Sequence, residues 1–336
     1  MKRLLISSLL GLTALISATP PSVAGDSLVI YSGRSDKFVK PVIADFTRQT
    51  GIEVTLHNGD STALLNKLRI EGGRTEADLF LSNDAGNLQQ GSDWGLFRPI
   101  DGPLLTPIAK NYRAADNTWV GLSARARVLV VNTQGPWADS LDSIFDLADP
   151  ALRGKLGITN STNGSYIAGV TVVMLAAGAD KTRQWLQGMK DNVDGKVFNK
   201  HSKLVSAVAS GKLQAGLVNH YYIYRHLDAH PDAPIRMVMP DQGQGEMGIA
   251  WNVAGIAITG HSRKAALAEK LVAFLISEAG QRQFAEVNLE YPTRTGVAAS
   301  GQLPPAGSFR VADVPMSALS TQRDVTLDLI EQVGMP

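Results

Sequence analysis

Three times between residues 27 and 81 the chain runs through a short apolar stretch, at intervals that leave room for one helix. The stretches are 27–31, 51–56 and 77–81, and helical periodicity separates them, with Val39, Val42, Ile43 and Phe46 on one face and Ala63, Leu64, Leu65 and Leu68 on the next. Gly51 stops the first of these helices, and Asp60 or Ser61 caps the second. Strand, helix, strand, helix, strand at this spacing predicts a parallel, doubly wound α/β sheet. In such sheets ligands bind beyond the carboxyl ends of the strands. Polar loops stand at those ends, with Arg34, Ser35 and Asp36 after the first strand and Asn83 and Asp84 after the third. Taken singly, Ser35 or Asp84 reads as an ordinary helix cap, and it is their repetition that points to a site.

Positions 119–132 form one long apolar strand interrupted by Arg125 and Arg127, two apart and therefore on one face. Burying two guanidinium groups is costly without anionic partners. An internal ion pair and an anion-binding pair account for them equally well. A strand of this length could also carry the chain into a second domain. Beyond it comes a helix over 141–147, a strand from 154, and the loop 159–166, whose hydroxyls, amides and glycine would offer backbone donors to an anion and place Tyr166 at the mouth of a cleft. Helices are expected over 167–177, 181–190, 202–210, 263–277 and 278–286, with a tail helix over 317–333.

The apolar run 213–218 reads as a buried strand, and a helix starts just after it, so Tyr221 and Tyr222 sit where a strand ends. Adjacent tyrosines at a helix start are ordinarily half-buried aromatics. As phenolates, however, they are hard oxygen ligands suited to a highly charged cation such as ferric iron, which lowers the proton affinity of a group whose ordinary pKa is about 10.

Lys2 and Arg3 precede a short apolar core, and Ser22, Val23 and Ala24 form a small-residue cleavage site, so residues 1–24 read as a secretory signal peptide. The chain has no cysteine, which removes disulfides and cysteine-linked lipid anchors. The remaining ~310 residues fit two domains. With 32 basic against 31 acidic residues, net charge gives no argument for nucleic acid or a membrane surface. No nucleophile elbow, zinc-protease helix or phosphate loop is present. The pattern Gly243, Gly245, Gly248 mimics a dinucleotide loop but precedes a strand rather than a helix. His226 and His230, four apart, have no acidic residue where the zinc-protease pattern needs one, and Pro231 ends the helix beside them, so they read as a solvated helix end. His201 and His220 fall near the tyrosines, as packing or supporting groups.

The stretches Tyr-Ser-Gly-Arg at 31–34, Ala-Asp-Leu-Phe at 77–80, Asp-Ala-Gly-Asn-Leu at 84–88, Gly-Leu-Ser-Ala-Arg-Ala-Arg-Val at 121–128 and Asn-His-Tyr-Tyr at 219–222 carry a resemblance. The chain resembles the periplasmic ferric-ion-binding proteins of bacterial ABC importers, which are class II periplasmic binding proteins, from about Leu28 to Met335. The resemblance implies two doubly wound lobes joined by hinge strands: 25–124 and 247–300 in the first, 125–246 in the second, and a C-terminal helical segment, 301–336, packing on the second. It implies Tyr221 and Tyr222 as paired iron phenolates, Tyr166 as a third, Asn219 and His201 near a synergistic anion such as carbonate, and Arg125 close to the metal. It also implies a soluble periplasmic monomer that is not an enzyme, carries Fe3+ and delivers it to an inner-membrane permease. Where many members have a histidine in the first loop this chain has Ser35, where a tyrosine can follow it has Asp36, and the family's glutamate position is Asn83. That leaves Asp36, Asp84, an anion or water to complete the iron's coordination. Two other readings stay open: a small oxyanion or organic anion held by Arg34, Arg125 and the 163–165 loop, and a secreted enzyme of unknown reaction.

Overall fold

A computed structural model describes residues 26–336, so the expected signal peptide lies outside the described residues. The first lobe opens with β1 (Ser27–Ser32), α1 (Asp36–Thr50), β2 (Glu53–Asn58), α2 (Ser61–Glu71), β3 (Leu79–Ser82) and α3 (Ala85–Asp93). β1 pairs in parallel with β2 and β3, as the alternation requires. α1 buries Phe38, Val39, Val42, Ile43 and Phe46, and ends at Gly51, whose φ of 74° is the left-handed conformation that glycine adopts freely. After β4 (Phe97–Arg98) and the short α4 (Gly102–Leu105), the chain enters β5 (Trp119–Asn132), buried along its whole length.

β5 joins the two halves. Its first part pairs with β10 (Trp251–Thr259) beside β3 of the first lobe. Its second part pairs with β8 (Ala215–Asn219) and β9 (Ile235–Val238). The second lobe contains β6 (Leu156–Thr159), α5 (Gly164–Ala177), α6 (Ala179–Val193), β7 (Val197–Phe198), α7 (His201–Ala209), then β8, α8 (Tyr221–Ala229) and β9. The strand order is β2-β1-β3-β10-β5-β8-β6-β7. The fold is therefore two α/β lobes on a continuous, curled sheet, with β5 carrying the chain out and β10 bringing it back. The 243–248 loop leads into β10, not into a helix.

α9 (Ala265–Leu275), α10 (Glu278–Asn288) and β11 (Tyr291–Pro292) complete the first lobe. One apolar cluster fills it and runs on to Leu204, Tyr221 and Ile223; a second lies under α5, α6 and the C-terminal helix.

Two expected elements differ. Instead of a helix over 141–147 there is a 3-10 segment, Ile144–Ala148, begun by a reciprocal cap between Ser143 and Asp146. Asp241 holds that start through Ser143 Oγ (2.5 Å) and the Ile144 amide (3.2 Å). The tail helix is broken at Gln322 into α11 (Ala318–Thr321) and α12 (Arg323–Val333). α12 packs on α5 and α6, but α11 packs on α3 of the first lobe, so the tail segment spans both lobes. The break lets Arg323 turn to Asp84 (Nη1 to Oδ2, 3.0 Å) and to Thr62 Oγ1 (2.9 Å).

Glu290, between α10 and β11, pairs with Arg34: its two oxygens accept from Arg34 Nη2 at 2.8 and 2.9 Å, and Ser123 Oγ donates to it at 2.7 Å. Burial pushes the Glu290 pKa up, but Arg34 and Arg125 outweigh it and hold the carboxyl below its ordinary value. Because Arg34 is only 3% exposed, Glu290→Ala leaves a buried unpaired guanidinium and is expected to destabilise the protein by about 3–5 kcal/mol. Denaturant unfolding of the variant, checked for an unchanged m-value, measures this; a loss below ~1 kcal/mol contradicts the ion-pair account.

Candidate functional site

Two helix starts in the second lobe hold the tyrosines. Tyr221 and Tyr222 occupy the first turn of α8 immediately beyond β8, their ring centroids 4.6 Å apart. Tyr166 lies in the first turn of α5. It is 1% exposed, not at the mouth as its loop position suggested, and its hydroxyl has no partner. Asn163 explains the shift. Its side chain caps α5 by accepting from the amides of Ser165 (3.0 Å) and Tyr166 (3.3 Å), which turns Tyr166 inward and uses the donors that the loop was expected to offer an anion.

Asn219, last residue of β8, ties these starts together. It donates through Nδ2 to Tyr221 Oη (3.0 Å) and Ser165 Oγ (3.4 Å), and its Oδ1 accepts from Arg127 Nη1 (3.2 Å). Burial lowers the Arg127 pKa to about 10, with Tyr166, Tyr221 and Tyr222 opposing that fall and Arg125 adding to it. All three tyrosines therefore lie within electrostatic reach of one guanidinium. Burial raises Tyr166 above the ordinary phenol value, against the pull of Arg127, and raises Tyr222, with the neighbouring Tyr221 adding to it.

Arg125 and Arg127, expected on one face of one strand, are both buried. Arg125 donates to the Asn83 carbonyl, yet its Nη1 and the Nε and Nη2 of Arg127 have no partner. The two arginines, with Ser165, Asn219, Trp251 and Asn252, line a small cavity. His201 is buried with its ring stacked 4.9 Å from that of Tyr222, and burial with the charges of Arg127 and Arg125 holds its pKa well below the usual histidine value. His220 accepts from the Ala126 amide at Nδ1 (3.2 Å) and donates from Nε2 to the Leu289 carbonyl (2.7 Å), which fixes its tautomer and its packing role. Burial lowers its pKa to about 4.

The first-lobe loops carry their polar groups differently from expectation. Arg34, expected beside an anion, already has its charge met by Glu290. Ser35 is exposed at the start of α1, and its side chain makes no cap bond. The Asp36 carboxylate accepts from Asn58 Nδ2 (2.6 Å) and pairs with Lys40 (2.6 Å). Asn83 donates to the Gly33 carbonyl. Gly33 itself has no room for a side chain, since a Cβ there would meet Ser61 Oγ at 1.9 Å. Asp84 caps α3 and pairs with Arg323, so it is not free to bind a metal. Sequence reasoning missed Glu290, Arg323 and the Asn163 cap; only the last had a local signal, an asparagine before a helix.

Among the described residues no group of three or more histidine, cysteine, aspartate or glutamate side chains could hold a metal. No helix of the described residues is long and apolar enough to cross a membrane.

The comparisons with known proteins agree with this architecture. The chain is 30% identical over 91% of its length to iron uptake protein A1 of Synechocystis, covering 86% of that protein. It is 28% identical over 96% of its length to the major ferric iron-binding protein of Neisseria meningitidis, covering 97% of it. The crystal structure of iron-bound HitA from Pseudomonas aeruginosa superposes with a TM-score of 0.86 at 26% identity, over 92% of this chain and all of that one. Such relatives are binding proteins of the periplasmic binding protein fold. Residues 42–308 match the model for bacterial extracellular solute-binding proteins, and the chain belongs to that family.

Proposed function

We propose that this protein captures ferric iron between its lobes in the periplasm and delivers it, as a non-catalytic soluble monomer, to an ABC permease of the inner membrane. Tyr166, Tyr221 and Tyr222 supply the phenolates. Arg125, Arg127 and Asn219 hold a small anion such as carbonate beside the metal, with His201 supporting from behind Tyr222. The crossings of the chain at β5 and β10 support lobe boundaries near 124 and 246, and a third near 300 follows β11. Asp36 reaches the metal only if it leaves Lys40 and Asn58, so water or the anion is favoured for the positions facing the first lobe.

The observation that carries this reading is the Tyr166 hydroxyl. It is buried and unpartnered, and it stands in the electrostatic reach of Arg127 together with Tyr221 and Tyr222. An unpaired buried hydroxyl costs stability, and a cation that turns it into a ligand removes that cost. The relatives named for ferric iron support the same conclusion. The unpaired arginine donors favour one further reading, in which the cleft takes an oxyanion without metal.

Purified protein given ferric salt should develop a tyrosinate charge-transfer band in the visible. An oxyanion carrier would show none. Tyr221→Phe and Tyr222→Phe each remove one charged ligand while keeping most of the packing. Each should lower iron affinity by more than the ~10–100-fold that losing a supporting partner costs, with little change in melting temperature. Near-native iron binding by both variants would sink the assignment.

Acid should release the metal. Each phenol must lose its proton to bind, and burial has already made that harder for Tyr166 and Tyr222, so protons compete directly and affinity falls as pH falls. His201 and His220 are held neutral by burial, so neither imposes a step at the ordinary histidine value of about 6.5. Titration of the visible band should give a broad loss below neutrality. A sharp one-proton transition near pH 6.5, abolished by changing His201, contradicts the assigned ligands.

A further inference from the structure

Around the exposed side of Tyr222 stand three cations with no acid beside them. Lys37, exposed in the first turn of α1, has its Nζ 4.9 Å from the Phe38 ring centroid and 5.8 Å from that of Tyr222. Arg225, one turn into α8, sets its guanidinium 4.8 Å from the same Phe38 ring. It donates to the Val287 carbonyl at 2.9 Å, while its Nε is buried without a partner. Lys200, exposed, immediately precedes His201, whose ring is stacked on Tyr222. Among the described residues none of the three has a carboxylate within 4.0 Å. Asp36, next to Lys37, is engaged with Lys40 and Asn58, and Glu290 with Arg34.

Lys37 belongs to the first lobe, Lys200 and Arg225 to the second. Burial lowers the Lys37 pKa, and the charges of Arg225 and Lys200 lower it further, so Lys37 feels both second-lobe cations across the cleft. Like charges brought together by lobe closure oppose it. A polyanion lying among them reverses the sign of that term and links the lobes.

We propose that Lys37, Lys200 and Arg225 form an outer anion subsite that takes the free carboxylates of a polycarboxylate chelate of ferric iron. This rests on the ferric reading of the tyrosine site. An octahedral ferric ion held by three phenolates keeps three positions for other ligands. A polycarboxylate can fill them and still project a carboxylate past Tyr222, the half-buried tyrosine of the three, toward these cations. The subsite is separate from the inner donors of Arg125 and Arg127 and selects for how the iron arrives.

The test compares ferric iron supplied with citrate and with carbonate, in the wild type and in Lys37→Ala/Lys200→Ala. Both lysines are exposed, and the melting temperature reports any damage to folding. The double variant should bind ferric citrate about tenfold more weakly, the order expected for two exposed charge pairs, with carbonate-supported binding and its visible band unchanged. The citrate affinity of the wild type should fall with added salt more steeply than that of the variant. Lys37→Arg/Lys200→Arg should restore it. Equal affinity of variant and wild type for ferric citrate, or an equal loss with both anions, overturns the subsite. Absence of the visible band under every condition in the wild type instead overturns the ferric reading itself.

Discussion

The structure depends on β5, a single strand buried from end to end that belongs to both lobes and carries two arginines through the middle of the molecule. Its pairing with β10 on one side and β8 on the other fixes where the lobes meet. Everything placed in the cleft is placed relative to it: Asn219 lies opposite Arg127 in the register, and Asn252 opposite Arg125. The tyrosine pair follows two residues after Asn219, at the carboxyl end of β8. A change in that register would turn the arginines to the other face and separate them from the tyrosines.

Buried guanidinium groups decide the electrostatics. Arg34 and Arg323 are satisfied by Glu290 and Asp84, and these pairs hold loops and the tail segment in place. Arg125 and Arg127 find carbonyl and amide oxygens and the His201 ring nitrogen, but no carboxylate within contact, and keep unpartnered donors. A buried charge without an anion is expensive, so a site with two of them is stabilised by whatever brings negative charge. Phenolates do so only when a cation has removed their protons. On the proposed reading the arginines and the ferric ion act in one direction on the tyrosines: both favour the ionised oxygen, against the burial that pushes Tyr166 and Tyr222 upward.

Much of this was legible in the sequence because it is local. The alternation of apolar runs, the stop at Gly51, the length of β5 and the position of the tyrosine pair are set by near neighbours. Features that depend on distant partners were not legible. Arg34 meets Glu290 across 256 positions and Arg323 meets Asp84 across 239. No periodicity announces such a pair, so Arg34 was expected beside an anion and Asp84 beside a metal. The inward turn of Tyr166 follows from Asn163, a cap that the sequence does show but whose effect on that side chain depends on the packing of α5 against α6 and β10. The tail helix broke for the same kind of reason, since continuous periodicity over 317–333 contains no sign that Arg323 is needed in the other lobe.

All three tyrosines stand on helices of the second lobe, whereas the first-lobe loops present no uncommitted anionic side chain to them: Asp36 and Asp84 are paired, and Ser35 and Asn83 are neutral. On the proposed reading the ferric ion is thus assembled on one lobe, and the contribution of the other to closure does not come from a metal bond. It comes from contacts that meet the occupied site, the Phe38 ring edge against Tyr221 at 5.6 Å, the Asn83 carbonyl on Arg125, and the Val287 carbonyl on Arg225. Contacts of this kind are individually worth only ~1 kcal/mol. Closure built from them is shallow, and a modest change in the charge between the lobes is enough to shift it. A carrier that must give its cargo to a permease needs that property: tight chemistry at the metal, confined to one lobe, and a weakly held cover that the partner can lift without first breaking an iron–oxygen bond.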